Sequence, residues 1–172
     1  SFSARGNYEK ALEYYEKSIK LKEEIGDKSG IANTYNNIGL NYKRQYNYIK
    51  ALKYYKKGLR IYEDIRDNSG IGDIYNNIGI VYKFQGNFEN ALQYFQKSLD
   101  AYTECGDKLR IDNPYVNIGN IYLRQENYKK ALEYQQNSLE IRIESGNKKG
   151  IAASYNNIGN IYNSQGNYEQ AL

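Results

Sequence analysis

The sequence predicts an all-α protein built as a solenoid of helix–turn–helix units, each 40 residues long. A motif of Asn, an aromatic residue, any two residues, Ala and Leu recurs at a constant spacing, starting at Asn7, Asn47, Asn87, Asn127 and Asn167. A second motif, Tyr-x2-Ile-Gly-x2-Tyr, starts at Tyr35, Tyr75, Tyr115 and Tyr155. Only one proline interrupts the 172 residues. Fixed periods of about 20–50 residues are typical of repeat arrays, in which each unit buries its apolar face against the next.

The first helix of each unit is predicted from the second motif. Tyr35, Ile38, Gly39 and Tyr42 follow one another at the spacing of a single helix face. We therefore predict first helices near residues 28–45, 68–85, 108–125 and 148–165. Asp27, with its equivalents Asp67 and Asp107, can cap the start of these helices.

The second helix of each unit is predicted from the first motif. Apolar residues from Tyr48 to Tyr62 again keep to one helix face, and Asn47 is the predicted N-cap. We predict second helices over residues 7–25, 47–65, 87–105 and 127–145, with residues 1–5 as the tail of a preceding first helix and another second helix starting at Asn167. Glycine ends most of these helices, but Arg66 stands in the glycine column, so we expect strain or a different cap there.

Three positions carry specific structural expectations. Gly39 lies mid-helix, where glycine costs about 1 kcal/mol relative to alanine, which indicates a close approach by a partner helix carrying Ala51. Pro114 lies inside a predicted helix, and we favour a helix that restarts there, with Asn113 as its cap, over a kinked helix. Cys105 occupies the column of Ile25 and Ile65 and is expected to be a buried, inert thiol. Most of the 21 tyrosines fall in the packing columns and are expected in the core.

The composition excludes several classes of chemistry. The chain has no His and a single Cys. It therefore holds no His-dependent catalytic triad, no His metal ligand and no internal disulfide. The sequence contains no run of about 18 apolar residues, so it predicts no transmembrane helix. The carboxylates lie mainly on exposed helix positions near Lys or Arg, and no glycine-rich phosphate loop appears. We accordingly expect a non-enzymatic protein with no cofactor, no metal and no small-molecule substrate.

The two motifs together resemble the tetratricopeptide repeat. The Trp-x2-Leu-Gly-x2-Tyr…Ala-x3-Phe pattern of that family appears here as Tyr35-x2-Ile38-Gly39-x2-Tyr42…Ala51-x3-Tyr55. The period is 40 rather than 34 residues, and Gln135 stands where the family has an aromatic residue. This long-helix variant is similar to the repeats of kinesin light chains and Pins-type adaptors.

The resemblance implies a right-handed superhelix and a single array over residues 1–172. Residues 1–27 would form a partial repeat, residues 28–67, 68–107 and 108–147 full repeats, and residues 148–172 a truncated repeat. We expect the chain to be part of a longer protein.

The resemblance also implies a binding site, because the first helices of such arrays line a concave groove. One Asn per repeat, at positions 37, 77, 117 and 157, could pair with a peptide backbone, since an amide both donates and accepts. The alternative is that each Asn bonds a neighbouring helix or bridges repeats. The expected groove residues are Asn33, Asn36, Asn37, Leu40, Arg44, Asn76, Asn77, Ile80, Phe84, Asn117, Asn120, Leu123, Arg124, Asn157 and Asn160.

The favoured partner is therefore a protein segment, held by its backbone and selected by side chains such as Arg44 and Phe84. The carboxylate clamp of chaperone-binding members is absent, because its Lys would fall at positions 33, 73, 113 or 153, which hold Asn, Asp, Asn and Ala. Two other functions stay open. One is an assembly or spacer element that self-associates through its repeat ends. The less favoured one is a basic surface for nucleic acid or anionic membrane on the stripe Lys50, Lys53, Lys57 and Arg60.

Overall fold

The computed structural model describes residues 2–166 of the chain, with their side chains from residue 7 onward. Over this range the chain forms eight α-helices and no strand. The helices are α1 (Phe2–Glu24), α2 (Lys28–Arg44), α3 (Tyr48–Asp64), α4 (Asn68–Phe84), α5 (Phe88–Glu104), α6 (Lys108–Arg124), α7 (Tyr128–Glu144) and α8 (Lys148–Gln165). The predicted all-α solenoid is thereby confirmed. None of the described helices is both long and apolar enough to cross a bilayer. The expected helix at Asn167 lies outside the described residues.

Each helix from α2 to α8 begins after an Asp or Asn cap. The Asp27 carboxylate accepts a hydrogen bond from the Gly30 backbone N–H at 2.8 Å, and the Asn47 amide oxygen accepts one from Lys50 N–H at 3.1 Å. The turn residue before the cap adopts a left-handed conformation throughout. Glycine fills it at four of these seven turns, and Tyr46, Arg66 and Glu126 fill it at the other three. Arg66 has a φ of 55°, so the strain expected there is confirmed.

Each helix packs against the next along the chain, as expected for a solenoid. α4 also contacts both α2 and α6 directly, so these successive first helices form a continuous wall. The mid-helix glycines allow the two helices of a unit to approach closely. A Cβ on Gly79 would lie 2.7 Å from Phe95 Cδ1. The close approach of the two helices is therefore confirmed. The space that a side chain at the glycine would have filled is occupied by aromatic rings such as Phe95, not by the alanines in the column of Ala51.

The N-terminal helix differs from the prediction. α1 runs without a break from Phe2 to Glu24, whereas a turn was expected between residues 5 and 7. A segment of only five residues cannot form a stable helix of its own, because nucleating the first turn is unfavourable. It extends the neighbouring helix instead.

Pro114 lies inside one continuous helix, so the predicted restart at Asn113 is wrong. Asp107 already caps α6, since its side chain accepts from the Arg110 backbone N–H at 3.3 Å. The Pro114 ring is buried in the column occupied in the other repeats by Thr34, Ile74 and Ser154. Packing in the core thus holds the proline in a helix that lacks one backbone hydrogen bond.

Cys105 is exposed, which contradicts the expectation of a buried thiol. It follows the last residue of α5, where the chain turns away from the helix pair, and its Sγ lies 3.4 Å from the Tyr102 carbonyl oxygen. Ile25, in the same column, is 77% exposed.

In the three full repeats the tyrosine columns of the first helices are half-buried rather than fully buried, and Tyr155 in α8 is exposed. In the first full repeat the ring of Tyr54 lies between those of Tyr35 and Tyr42, with centroids 6.1 and 5.5 Å away. The Lys57 ammonium lies 5.2 Å from the Tyr54 ring centroid. The fully buried aromatic residues, Tyr55, Phe95 and Tyr102, lie on the second helices. Cation–π contacts therefore cover the outer tyrosines, and fewer rings than expected form the core.

Candidate binding groove

The Asn column lies along the wall of first helices, and its members connect neighbouring repeats. Asn77 Nδ2 donates to Asn36 Oδ1 at 3.0 Å, from α4 to α2. Asn117 Nδ2 donates to Asn76 Oδ1 at 3.3 Å, from α6 to α4. The structure therefore brings these four predicted residues together and gives Asn77 and Asn117 a bridging role.

The two ends of the column depart from this pattern. Val116 replaces the acceptor in the third repeat, so Asn157 Nδ2 donates instead to Gln135 Oε1 at 3.2 Å. Asn37 has only a long hydrogen bond, of 3.5 Å, to Asn33 Oδ1 on its own helix. Among the described residues, the bridges between two Asn side chains therefore lie in the middle of the array.

The bridges leave part of each amide open. An Asn amide has two N–H donors and two acceptor lone pairs. Asn77 Oδ1 accepts no hydrogen bond from any described residue, whereas Asn117 Oδ1 accepts one from Lys83 Nζ at 2.6 Å. Asn77 and Asn117 are both half-buried. Each amide is therefore oriented by one neighbour and keeps further hydrogen-bonding capacity.

Two lysines that sequence analysis missed belong to the same wall. Lys43 and Lys83 are half-buried, and neither pairs with a carboxylate among the residues that the structure describes. Burial lowers the pKa of both ammonium groups, and repulsion from Arg44 and Lys83 further lowers the pKa of Lys43. Lys43 follows Leu40 by three residues on one helix face, and that spacing could have identified it.

The predicted residues at the C-terminal ends of the first helices rest on aromatic rings from the preceding repeat. Phe84 stacks on Tyr48 with ring centroids 6.4 Å apart, and the Arg124 guanidinium lies 5.4 Å from the Phe88 ring. Arg44 helps to line a cleft of about 340 Å³ between α1 and α2. This edge of the wall is therefore both aromatic and cationic.

The opposite edge of the wall is polar and internally paired. Asp73 accepts hydrogen bonds from the Arg110 guanidinium and, at 2.6 Å, from the Tyr102 hydroxyl. Burial, followed by the hydrogen bond to Asp73, raises the pKa of Tyr102. Asp73 and Arg110 border a cleft of about 220 Å³ that is also lined by the predicted residues Asn33 and Asn36.

The remaining predicted residues form the middle of the wall. Leu40 and Ile80 are half-buried and pack against the cores of neighbouring repeats. Asn120 Oδ1 accepts from Gln135 Nε2 at 3.1 Å. Leu123 is half-buried and Asn160 is exposed. The wall therefore combines a partly apolar middle with amides.

A family model described as tetratricopeptide repeat matches residues 1–64, 31–104 and 110–172 of the chain. No curated protein matches the sequence.

Solved structures share the fold. BtubC (BKLC) from P. vanneervenii has a TM-score of 0.83 at 21% identity, over 97% of this chain and 70% of that one. The apo form of RapI has a TM-score of 0.83 at 21% identity, over 98% of this chain and 47% of that one. A signal transduction ATPase with a tetratricopeptide repeat sensor, from Pyrococcus horikoshii, has a TM-score of 0.76 at 28% identity. The match covers 91% of this chain and 25% of that one.

The chain thus spans about half of RapI and a quarter of the ATPase. The family match covers most of the sequence, and the helix pairs, the mid-helix glycines and the 40-residue motifs agree with it. The chain belongs to the tetratricopeptide repeat family, whose members are generally protein-interaction scaffolds.

Proposed function

We propose that this chain binds an extended segment of a partner protein along the wall of first helices, with Asn77 and Asn117 paired to the peptide backbone. The observation that carries the proposal is the half-satisfied state of these two amides. Each is held by one hydrogen bond to the preceding repeat and keeps unused donors or acceptors. A buried or half-buried polar group gains most from a partner when its orientation is already fixed.

The bridging role and the binding role are compatible, because they use different parts of the amide. Asn77 donates one N–H to Asn36, which leaves its second N–H and its oxygen for a peptide. A peptide backbone offers both an N–H and a carbonyl at each residue, so it can satisfy either. The P. horikoshii protein is described as having a repeat sensor, which is consistent with recognition by such an array.

Selection of a random peptide library on the immobilised protein tests the proposal. The test variant is Asn77→Ala with Asn117→Ala. We expect peptides enriched on the wild type to bind this variant at least tenfold more weakly, since two hydrogen bonds of about 1 kcal/mol each are lost.

A control separates recognition from stability, because the test variant also loses two bridges between repeats. Ser98→Ala removes the buried hydrogen bond of 2.8 Å from Ser98 to the Gly72 carbonyl, away from the Asn column. Ser98→Ala should bind the selected peptides like the wild type. Equal binding by the Asn variant and the wild type would refute the backbone-pairing role.

A further inference from the structure

One edge of the groove departs from the internal repeat at three positions. Tyr46, Ile49 and Phe84 each differ in kind from the residues 40 positions away. The equivalents of Tyr46 are Gly6, Gly86, Glu126 and Gly166. Those of Ile49 are Glu9, Glu89, Lys129 and Glu169, and those of Phe84 are Ala4, Arg44, Arg124 and Ser164. Small, charged or polar residues therefore stand at these positions elsewhere in the chain.

The three departures make an exposed apolar surface. The exposed fractions are 78% for Tyr46, 83% for Ile49 and 61% for Phe84. The Tyr48 ring links Tyr46 to Phe84, with centroids 6.5 and 6.4 Å away. Tyr46, Tyr48, Ile49 and Phe84 are called the apolar edge below. Tyr46 also adopts a left-handed φ of 59°, which is strained for a tyrosine. Apart from these ring contacts, the fold leaves most of the surface of Tyr46, Ile49 and Phe84 exposed to solvent.

Cations that lack acidic partners adjoin the apolar edge. Arg44 and Lys43 end the helix that precedes Tyr46, and Lys83 directly precedes Phe84. No acidic residue occurs between Lys28 and Tyr62, and no described carboxylate forms an ion pair with Lys43, Arg44 or Lys83. A ligand with carboxylates would neutralise charges that the protein leaves uncompensated.

We infer that the partner segment is acidic and carries an aromatic or large aliphatic anchor, which packs on the apolar edge while its carboxylates meet Lys43 and Lys83. This inference rests on the proposed function and specifies its partner. Lys43 and Lys83 are half-buried in the wall of first helices. A narrow peptide chain can reach such ammonium groups, whereas the surface of a bilayer is too flat to enter the groove. The surface therefore fits a peptide better than a membrane.

The test is the same library selection, repeated with two variants of this surface. The first, Tyr46→Gly with Ile49→Glu and Phe84→Arg, imports residue types that this chain already carries at equivalent positions, so folding should be retained. The second, Lys43→Gln with Lys83→Gln, removes the uncompensated charge. We expect wild-type selection to enrich peptides with acidic residues close to an aromatic or aliphatic residue. Each variant should bind them about tenfold more weakly.

A matched control removes the same charge elsewhere. Lys53 and Lys56 are exposed on α3 and have no ion pair among the described residues. Lys53→Gln with Lys56→Gln should leave affinity within about twofold at moderate salt, because exposed distant charges are screened. Circular dichroism melts would confirm that each variant is folded.

The outcomes distinguish this inference from the proposed function. Enriched peptides that lack acidic residues but depend on Asn77 and Asn117 would overturn the inference alone. Acidic, apolar peptides that bind the Asn77→Ala/Asn117→Ala variant normally would support the inference and refute the Asn column. A wild type that enriches no peptide but binds phosphatidylserine vesicles through the apolar edge would overturn both.

Discussion

Replacing Tyr55 with phenylalanine should stabilise the protein. Tyr55 is fully buried between the two helices of the first full repeat, and its ring packs against Gly39. Among the described residues, its hydroxyl is the buried side-chain polar atom that has no hydrogen-bond partner. The equivalent residue in the next repeat is Phe95, which is also fully buried. The site therefore accepts an aromatic ring without a hydroxyl.

The expected gain follows from the cost of burying an unpaired hydroxyl. Leaving a buried polar group without a partner costs about 1–3 kcal/mol. Tyr55→Phe removes that group and keeps the ring in place, so the free energy of unfolding should rise by about 1–2 kcal/mol. A change of 1 kcal/mol shifts the melting temperature of a protein of this size by roughly 2–4 °C.

Thermal unfolding followed by far-ultraviolet circular dichroism would measure the change, with urea unfolding as a second estimate. The reciprocal variant, Phe95→Tyr, is the control, because it introduces the same hydroxyl into the equivalent site. We expect it to lower the melting temperature. An unchanged or lower melting temperature for Tyr55→Phe would show that the hydroxyl is satisfied and that this reasoning is wrong.

Three further changes have expected effects on stability, each measurable by urea unfolding. Arg66→Gly should stabilise by about 1 kcal/mol, because glycine adopts the left-handed conformation without steric cost; destabilisation would contradict the strain. Pro114→Ala should stabilise by about 1–2 kcal/mol, since the restored backbone hydrogen bond outweighs the lost ring packing; a loss would show that packing dominates. Asp112→Ala should lower the free energy of unfolding by about 2–4 kcal/mol, because it leaves the nearly buried Arg142 without its carboxylate partner. Asp64→Ala breaks an exposed ion pair and should lower it by under about 1 kcal/mol. Similar losses of stability in the two variants would refute this contrast.

The periodic part of the fold was predictable from the sequence. Most predicted helix ends fall within one residue of the observed ones, because Asp27 and Asn47 cap their helices and a residue with a left-handed φ, usually glycine, follows each helix end. The mid-helix position of Gly39 also predicted a close approach correctly. These features depend on local hydrogen bonding and on a spacing that repeats identically.

The departures from the repeat were not predictable in the same way. Pro114 lies inside one continuous helix and is fully buried, so the tertiary structure overrides the local preference against proline in a helix. Cys105 is exposed because the turn after α5 leaves the packed face. Similarly, the amide partners of Asn77 and Asn117 depend on the distance between successive first helices. The sequence motif does not give the distance between successive first helices. From the motif alone, bridging of repeats and peptide binding therefore stayed alternative roles for these Asn residues.

The most direct test of peptide binding by the Asn column is a proton–nitrogen NMR spectrum of the side-chain amides, recorded with and without a selected peptide. The signals of Asn77 and Asn117 can be assigned by their loss in the alanine variants. We expect both to shift when the peptide binds, while the signal of Asn90, on the second helix α5, stays unchanged. A peptide that binds and leaves the Asn77 and Asn117 amide signals in place would contradict the proposed role of the column.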